Sequence, residues 1–351
     1  MAHDDEEAPM SAGAPAHSAA EEFAARQHSS SQRIQHLLHA HPAISPALVL
    51  VVATAVFGLI NPRFVQPGSL SLVLQQFAVV GLLAVGQTLV ILTAGIDLSV
   101  GAITILAMML MGSLSTKNHL AGFVALVIGW AFAAAAGAFN GALVTRLSLP
   151  PFIVTLGTLS IFTAVALLYS GGKSIDGSLM PDLLNVMGNG FGIGPFRFTV
   201  GVAVVLLVYA LLGFVLSQTA WGRHVYATGD DIEAARLSGI SVNRVLLSVY
   251  AVAGAIFGLA AWVQIGRAGA ASPNGIVDAN LESITAVVIG GTSLFGGRGA
   301  LLGTLLGALI VRVFGSGLAL AGVDSQWRVF AIGVLVIVAV SIDQWIRTVR
   351  A

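Results

Sequence analysis

Cysteine is absent from the 351 residues of this chain, so disulfides, thiolate metal sites and cysteine nucleophiles are excluded. Charge is scarce as well: Asp, Glu, Lys and Arg make up 9% of the residues, against roughly 25% in soluble domains. Sixteen basic residues balance 16 acidic ones, so no positive excess is available to neutralise phosphates, and nucleic-acid binding has no support. Catalytic signatures are missing too. No GxSxG or HExxH occurs, and no pair of acids falls within an apolar stretch. Gly172-Lys173-Ser174 imitates the end of a phosphate loop, but Leu167 stands where GxxxxGK[ST] needs its leading glycine. GNGFGIG (188–194) misses the GxGxxG spacing, and both stretches read as turns. The expectation is a non-enzyme that binds no metal and no cofactor, ATP and Mg included.

What is present is apolar. Hydrophobic residues reach 56% and the mean hydropathy is +0.91, more than a soluble core can hide, so lipid is the remaining solvent. The 41 glycines suit helices whose backbones approach closely in a bilayer. Residues 1–42 are a different material, beginning MAHDDEEAPMSAGAPAHSAAEEF, acidic and rich in alanine and histidine. They lack the basic start and apolar core of a cleavable signal and read as a disordered cytoplasmic tail, with a short amphipathic helix over 34–41. Nothing near His36, His39 and His41 completes a tetrahedral metal site, so these histidines read as solvated.

Residues 43–349 read as one transmembrane domain. A bilayer core takes about 20 apolar residues per helix. Candidate spans fall at 44–61, 70–94, 98–116, 120–146, 151–170, 199–217, 245–266, 300–322 and 327–347. A further segment, LESITAVVIGGTSLF (281–295), is apolar but short and glycine-broken, either a bent crossing or a re-entrant element. Counting it gives an all-α polytopic membrane protein of about ten transmembrane helices with both termini on one side. Nine Lys and Arg residues in the loops of the N-terminal side face six in the opposite loops, which favours cytoplasmic termini.

The segment 218–244 then lies in the cytoplasm, and within it GDDIEAARLSGI (229–240) carries its own start and stop signals. Asp230 and Glu233 have capping-box spacing, and Gly239 supplies the left-handed stop onto which Ile240 folds back. A helix over 231–238 is on the order of 12 Å long. Alone it is marginal in water, so it must pack on neighbours or on a partner. It is either a plain connector or a docking knob, with Ala234 and Ala235 leaving room for close approach and Arg236 offering a charged contact.

Three stretches carry a resemblance. WGRHVYATGDDIEAARLSGISVNRVLLSVYAVAGAIFGLAA (221–261), ILTAGIDLSVGA (91–102) and AVVIGGTSLFGGRGALLGTLLGALI (286–310) resemble hallmark segments of the ribose-type ABC sugar permeases, over about residues 44–349. The resemblance implies the membrane subunit of a bacterial inner-membrane importer, moving a monosaccharide by alternating access. It implies a homodimer with a second permease copy, a cytoplasmic ATPase that holds ATP and Mg, and a periplasmic sugar-binding protein. It places Asp230, Asp231, Glu233, Ala234, Ala235, Arg236 and Gly239 on the ATPase-coupling segment. The C-terminal third, including VSIDQWIRTV, is most similar to fructose-type members, with ribose-type next. The rival is an ion-driven carrier or channel for a small polar solute, which needs acids or histidines at mid-membrane.

Asp97, in GIDLSVG, can cap a helix starting at Leu98, and with Gly95, Ser99 and Gly291 it marks a helix break or gate. Arg312, in LIVRVFG, stands out as the one deep charge, at a place where the family commonly has a small residue. It could snorkel or line the pathway. A neutral sugar needs amide and hydroxyl partners, for which Gln87 and Asn140 come first among the candidates, followed by Thr93, Thr158 and Gln264, beside Gln75, Gln76 and Thr155. For each the plainer reading is an interhelical hydrogen bond. Trp130 and Trp262 could stack on a sugar or sit at a lipid interface, and GxxxG pairs at Gly137–Gly141 and Gly303–Gly307 suit close helix contacts.

Overall fold

Proline and glycine divide the apolar sequence into separate helices. The computed structural model describes residues 44–348 apart from Ile193 and Val277. The tail 1–42, its expected helix at 34–41 and its three histidines lie outside the described residues. The long helices are α1 (Ile44–Ile60), α2 (Pro67–Leu92), α3 (Val100–Thr116), α4 (Gly122–Arg146) and α5 (Pro151–Ser170). After a loop containing the short α6 (Asp182–Asn185) come α7 (Val200–Gln218), α8 (Ala220–Asp230), α9 (Ile232–Leu237) and α10 (Val242–Ala268). The chain ends with α11 (Ala279–Ile289), α12 (Leu301–Leu320) and α13 (Ser325–Thr348). Pro67 and Pro151 occupy first-turn positions where no amide is needed, while Gly171 and Gly269, at φ of +61° and +63°, close α5 and α10.

The nine longer expected spans start and stop within three residues of observed helices. Among the described residues, α2, α4, α5, α7, α10 and α12 are the six helices long and apolar enough to cross a membrane, and α1, α3 and α11 are shorter apolar helices. The glycine-broken segment is helical only over Ala279–Ile289.

The centre of the bundle is α2 against α10. From Phe77 to Leu92 every residue of α2 is buried. Gly86 of α2 faces Phe257, and Gly95 just beyond it faces Tyr250, so the two helices run antiparallel. Outside them, α1, α4, α5 and α7 turn large apolar side chains outward, among them Leu59, Phe123, Leu168 and Leu207, the arrangement of a surface solvated by lipid. The most extensive helix pairing is α4 with α10. A Cβ on Gly137 would collide with the Tyr250 carbonyl oxygen and one on Gly254 with the Ala133 carbonyl oxygen. The second GxxxG pair works alike: Gly303 and Gly307 of α12 lie against the Gly290 and Ala286 carbonyls at the end of α11. Thr88 of α2 and Thr304 of α12 add a buried hydroxyl contact of 2.9 Å. At the periphery Phe57 of α1 fills the space left by Gly317 of α12, with Phe64 and Phe314 packed around it.

Two small ladders tie the loops. β1 (Ile175–Asp176) pairs antiparallel with β4 (Ala270–Ala271), and β2 (Gly190–Phe191) with β3 (Phe198–Thr199). The first ladder sits where α10 ends. At the opposite end of the α2–α10 pair, the Gly297 amide donates to the Leu92 carbonyl at 3.0 Å. The stretch from Ala271 to Gly297 therefore travels from one end of the bundle to the other.

Replacing Gly137 with Val should force α4 and α10 apart, an overpacking cost of about 1–3 kcal/mol or more. The expected result is a lower melting temperature of the protein in detergent. Gly213→Ala, where a Cβ meets nothing within 4 Å, should leave it unchanged or slightly raised.

Candidate functional site

The polar segment after α7 folds as two helices rather than one. Thr219 caps α8 by accepting from the Gly222 amide at 3.2 Å, and α8 buries Gly222, Val225, Thr228 and Gly229 along one face. Because α8 continues through Asp230, the turn comes one residue later than the capping-box spacing suggests. Asp231, not Asp230, is the N-cap of α9, accepting from the Glu233 and Ala234 amides at 2.9 and 3.0 Å. Glu233 does not reach back; its carboxylate accepts from Arg236 at 2.8 Å. The stop is as the sequence suggests: Gly239 has φ +81°, and the Ile240 amide donates back to the Ala235 carbonyl at 3.1 Å. The helix spans six residues rather than 231–238. Ala235 is its buried side, while Ala234, Glu233 and Arg236 face outward and Leu237 is 90% exposed. Leu237 was not among the sequence candidates, since an apolar residue in an apolar chain gives no signal of exposure.

Behind this helix the three motif stretches meet. The space for a side chain on Gly229 is taken by the Leu92 carbonyl, with the Gly297 amide beside it. Gly296 and Gly297, at φ +84° and +68°, lie against Ala94, Gly229 and Asp230. The Tyr226 hydroxyl donates to the Gly299 carbonyl at 2.9 Å. The irregular segments 93–99 and 290–300 are thus clamped to α8, which leads directly to α9. Gly291, with φ +81°, makes the left-handed turn out of α11 that begins the second segment.

The segment 93–99 carries a buried polar cluster. Asp97 is fully buried, and its Oδ1 accepts from the Ser99 amide at 2.7 Å and the Ser99 hydroxyl at 2.6 Å. This local turn holds Ser99, so α3 starts at Val100 and not at Leu98. Asn140 of α4 donates to the Ser99 hydroxyl at 2.8 Å, and Thr155 of α5 donates to the Ile96 carbonyl at 3.0 Å. Gly95 lets the Tyr250 hydroxyl approach. The expected break residues Gly95, Asp97 and Ser99 and the pathway candidate Asn140 are therefore one cluster. Asp97 Oδ2, Asn140 Oδ1 and the Tyr250 hydroxyl have no hydrogen-bond partner among the described residues.

The other pathway candidates separate. Gln264 lines a cavity of about 330 Å³ between α2, α10, α11 and α12. Gln87 is buried in α2, its amide atoms unpartnered among the described residues. Thr93 bonds the Val90 carbonyl at the end of α2, and Thr158 bonds the Thr155 carbonyl within α5. The indoles of Trp130 and Trp262 donate to the Ala255 and Leu183 carbonyls. Within the cavity, Arg312 is not a lone charge. It donates to Glu282 of α11, and both side chains are largely buried. Arg267 donates to Gln264 at 3.1 Å, and Asp278 and Asn274 complete the polar wall. Glu282 was missed because it opens the short apolar segment, where an acid reads as a helix-start residue. The available signal was that an isolated base in an apolar helix needs an acid partner.

A family described as branched-chain amino acid transport system / permease component matches residues 69–340. The chain belongs to this family of transport permeases. Within it, the chain falls with the ribose- and fructose-type ABC sugar permeases that its three motifs resemble. It is 50% identical to the fructose import permease protein of Rhizobium meliloti over 91% of its own length and 90% of that protein's. It is 36% identical to the ribose import permease protein of Bacillus subtilis, covering 86% and 92% of the two chains. With the D-allose transport system permease protein of Escherichia coli it shares 35% identity over 85% and 90%. No solved structure matches it. Family and apolar helices together make it a multi-pass inner-membrane transport protein, not an enzyme.

Asp231→Ala should cost about 1 kcal/mol of α9 stability. Hydrogen exchange of the 233–236 amides should accelerate accordingly, while Asp230→Ala leaves them unchanged. Arg312→Met alone strands a buried carboxylate and should cost about 3–5 kcal/mol. The double variant with Glu282→Gln should recover most of the loss in a detergent melting assay.

Proposed function

We propose that this chain is the membrane-spanning subunit of an ATP-driven importer of a monosaccharide, fructose first and ribose second. The 50% identity to a fructose import permease, across nine-tenths of both chains, carries the reading. Two copies form the pathway. A separate ATPase binds ATP and Mg, and a periplasmic sugar-binding protein delivers the solute. The chain makes ten crossings with its termini in the cytoplasm, the passage from Ala271 to Gly297 being one of them. On that topology α9 faces the ATPase, presenting Glu233, Ala234, Arg236 and Leu237 on a helix set by Asp231 and Gly239.

Closure of the ATPase dimer displaces α9. Through α8 the displacement reaches the segments 93–99 and 290–300, and alternating access follows when these shift the helices they terminate. The buried acids Asp97 and Glu282 are what an ion-driven carrier would use, and that is the competing reading.

The test is uptake into proteoliposomes holding permease and ATPase, with the binding protein and ATP added or withheld. Accumulation should require both. Uptake that ignores ATP and collapses with an uncoupler would establish the competing reading instead. Gly239→Pro and Glu233→Lys should each reduce uptake per ATP hydrolysed, and full coupling in both variants would count against α9 as the contact.

A further inference from the structure

The cavity between α2, α10, α11 and α12 has a chemistry that neither the coupling junction nor the helix packing requires. We propose that it is a binding station for one neutral polyol of monosaccharide size, formed inside a single permease copy. The identity of the solute as a sugar rests on the importer reading; the ligand class rests on the lining.

Charge is the leading consideration. Arg267 and Arg312 face Asp278 and Glu282, so the formal charges of the lining cancel. An anionic or cationic solute would leave one sign in excess among these partly buried charges, whereas a neutral one would not. Hydrogen-bond capacity is the next. Guanidinium groups only donate and carboxylates only accept, while the amides of Gln76, Gln264 and Asn274 do both. A sugar hydroxyl also donates and accepts, so a ring of hydroxyls can be matched all round. Val79, Val80 and Leu83 of α2 give an apolar wall suited to the C–H face of a sugar.

The site is also set in advance. Glu282 holds Arg312 and Gln264 holds Arg267, which fixes both guanidinium groups before a solute arrives. Arg312 Nε is buried and has no hydrogen-bond partner among the described residues, leaving a donor that a hydroxyl can satisfy. The volume of about 330 Å³ lies at the lower end of small-molecule sites, which run roughly 300–1,000 Å³.

The absence of cysteine makes the test direct. Asn274, exposed at the rim of the cavity, is replaced in the permease–ATPase complex as Asn274→Cys. Maleimide labelling of that single permease thiol is timed without solute and with fructose, ribose or leucine, and without the binding protein, which could cover the rim. At ten times its half-protecting concentration, fructose or ribose should slow labelling about tenfold, by simple occupancy. Leucine should not. Adding Gln264→Leu should raise the half-protecting concentration about two- to tenfold, the loss of one hydrogen bond. If that variant does not assemble, Gln76→Leu supplies the same measurement from α2.

Labelling untouched by either sugar, slowed equally by leucine, or protected identically in the amide variant would overturn the polyol site. The same complex, supplied with binding protein, is then assayed for ATP-dependent sugar uptake. Uptake without protection would sink the site and leave the importer intact. Protection without ATP-dependent uptake would sustain the site and remove the importer.

Discussion

Contact between bare helix backbones is the constraint on which the rest of this structure depends. Pressing two apolar helices together in lipid gains no hydrophobic free energy, so cohesion has to come from short-range packing. Short range requires that no side chain intervene. Gly137 and Gly254 meet this condition between α4 and α10, and Gly290 and Gly303 meet it between α11 and α12. The same device joins the membrane bundle to its polar appendage, because Gly229 of α8 lies directly on the Leu92 carbonyl and the Gly297 amide. Backbone contact at Gly229 thus ties α8 to the end of α2 and to the segment 290–300.

Those segments are where regular helix gives way, and each is stabilised differently. Residues 93–99 turn around a buried carboxylate, with Asp97 holding Ser99 and Ser99 holding Asn140 on a neighbouring helix. Residues 290–300 rely on left-handed glycines, at 291, 296 and 297. Non-helical backbone in a membrane bundle is tolerated only where protein satisfies its polar groups, and here turns within each segment do so together with the Gly297–Leu92, Tyr226–Gly299 and Thr155–Ile96 hydrogen bonds. Asp97 belongs to this construction, whereas Glu282 belongs to the cavity, where it neutralises Arg312. Two buried acids thus have two separate structural partners, which weakens the case for either as an isolated ion-binding group.

Much of the architecture was legible from residue order alone. Long apolar runs bounded by proline and glycine gave nearly every helix, since a bilayer leaves hydrogen-bonded helix as the only option for such a run. The left-handed stop at Gly239 was legible for the same local reason. The cap was misplaced by one residue because Asp230 and Asp231 are both suitable acceptors, and only the length of α8 chooses between them. The start of α3 was misplaced because the carboxylate of Asp97 spends its bonds on a turn rather than on the helix. Of the polar residues offered as pathway candidates, sequence put Gln87 and Asn140 first, and only the fold shows that Gln264 lines the cavity while Gln87 does not, since both are amides in apolar helices.

Sequence by itself determined that this is a lipid-solvated helical protein with a short capped helix in a polar loop, because hydropathy, capping and glycine stops act over a few residues. Its motifs also determined the family. Only tertiary structure decided that the three motif stretches converge at Gly229, that Asp97 and Asn140 share one cluster, and that Glu282 answers Arg312 thirty residues away. Those partnerships depend on which faces of distant helices meet, and in a chain whose helices are apolar on every side no hydrophobic stripe announces the facing side.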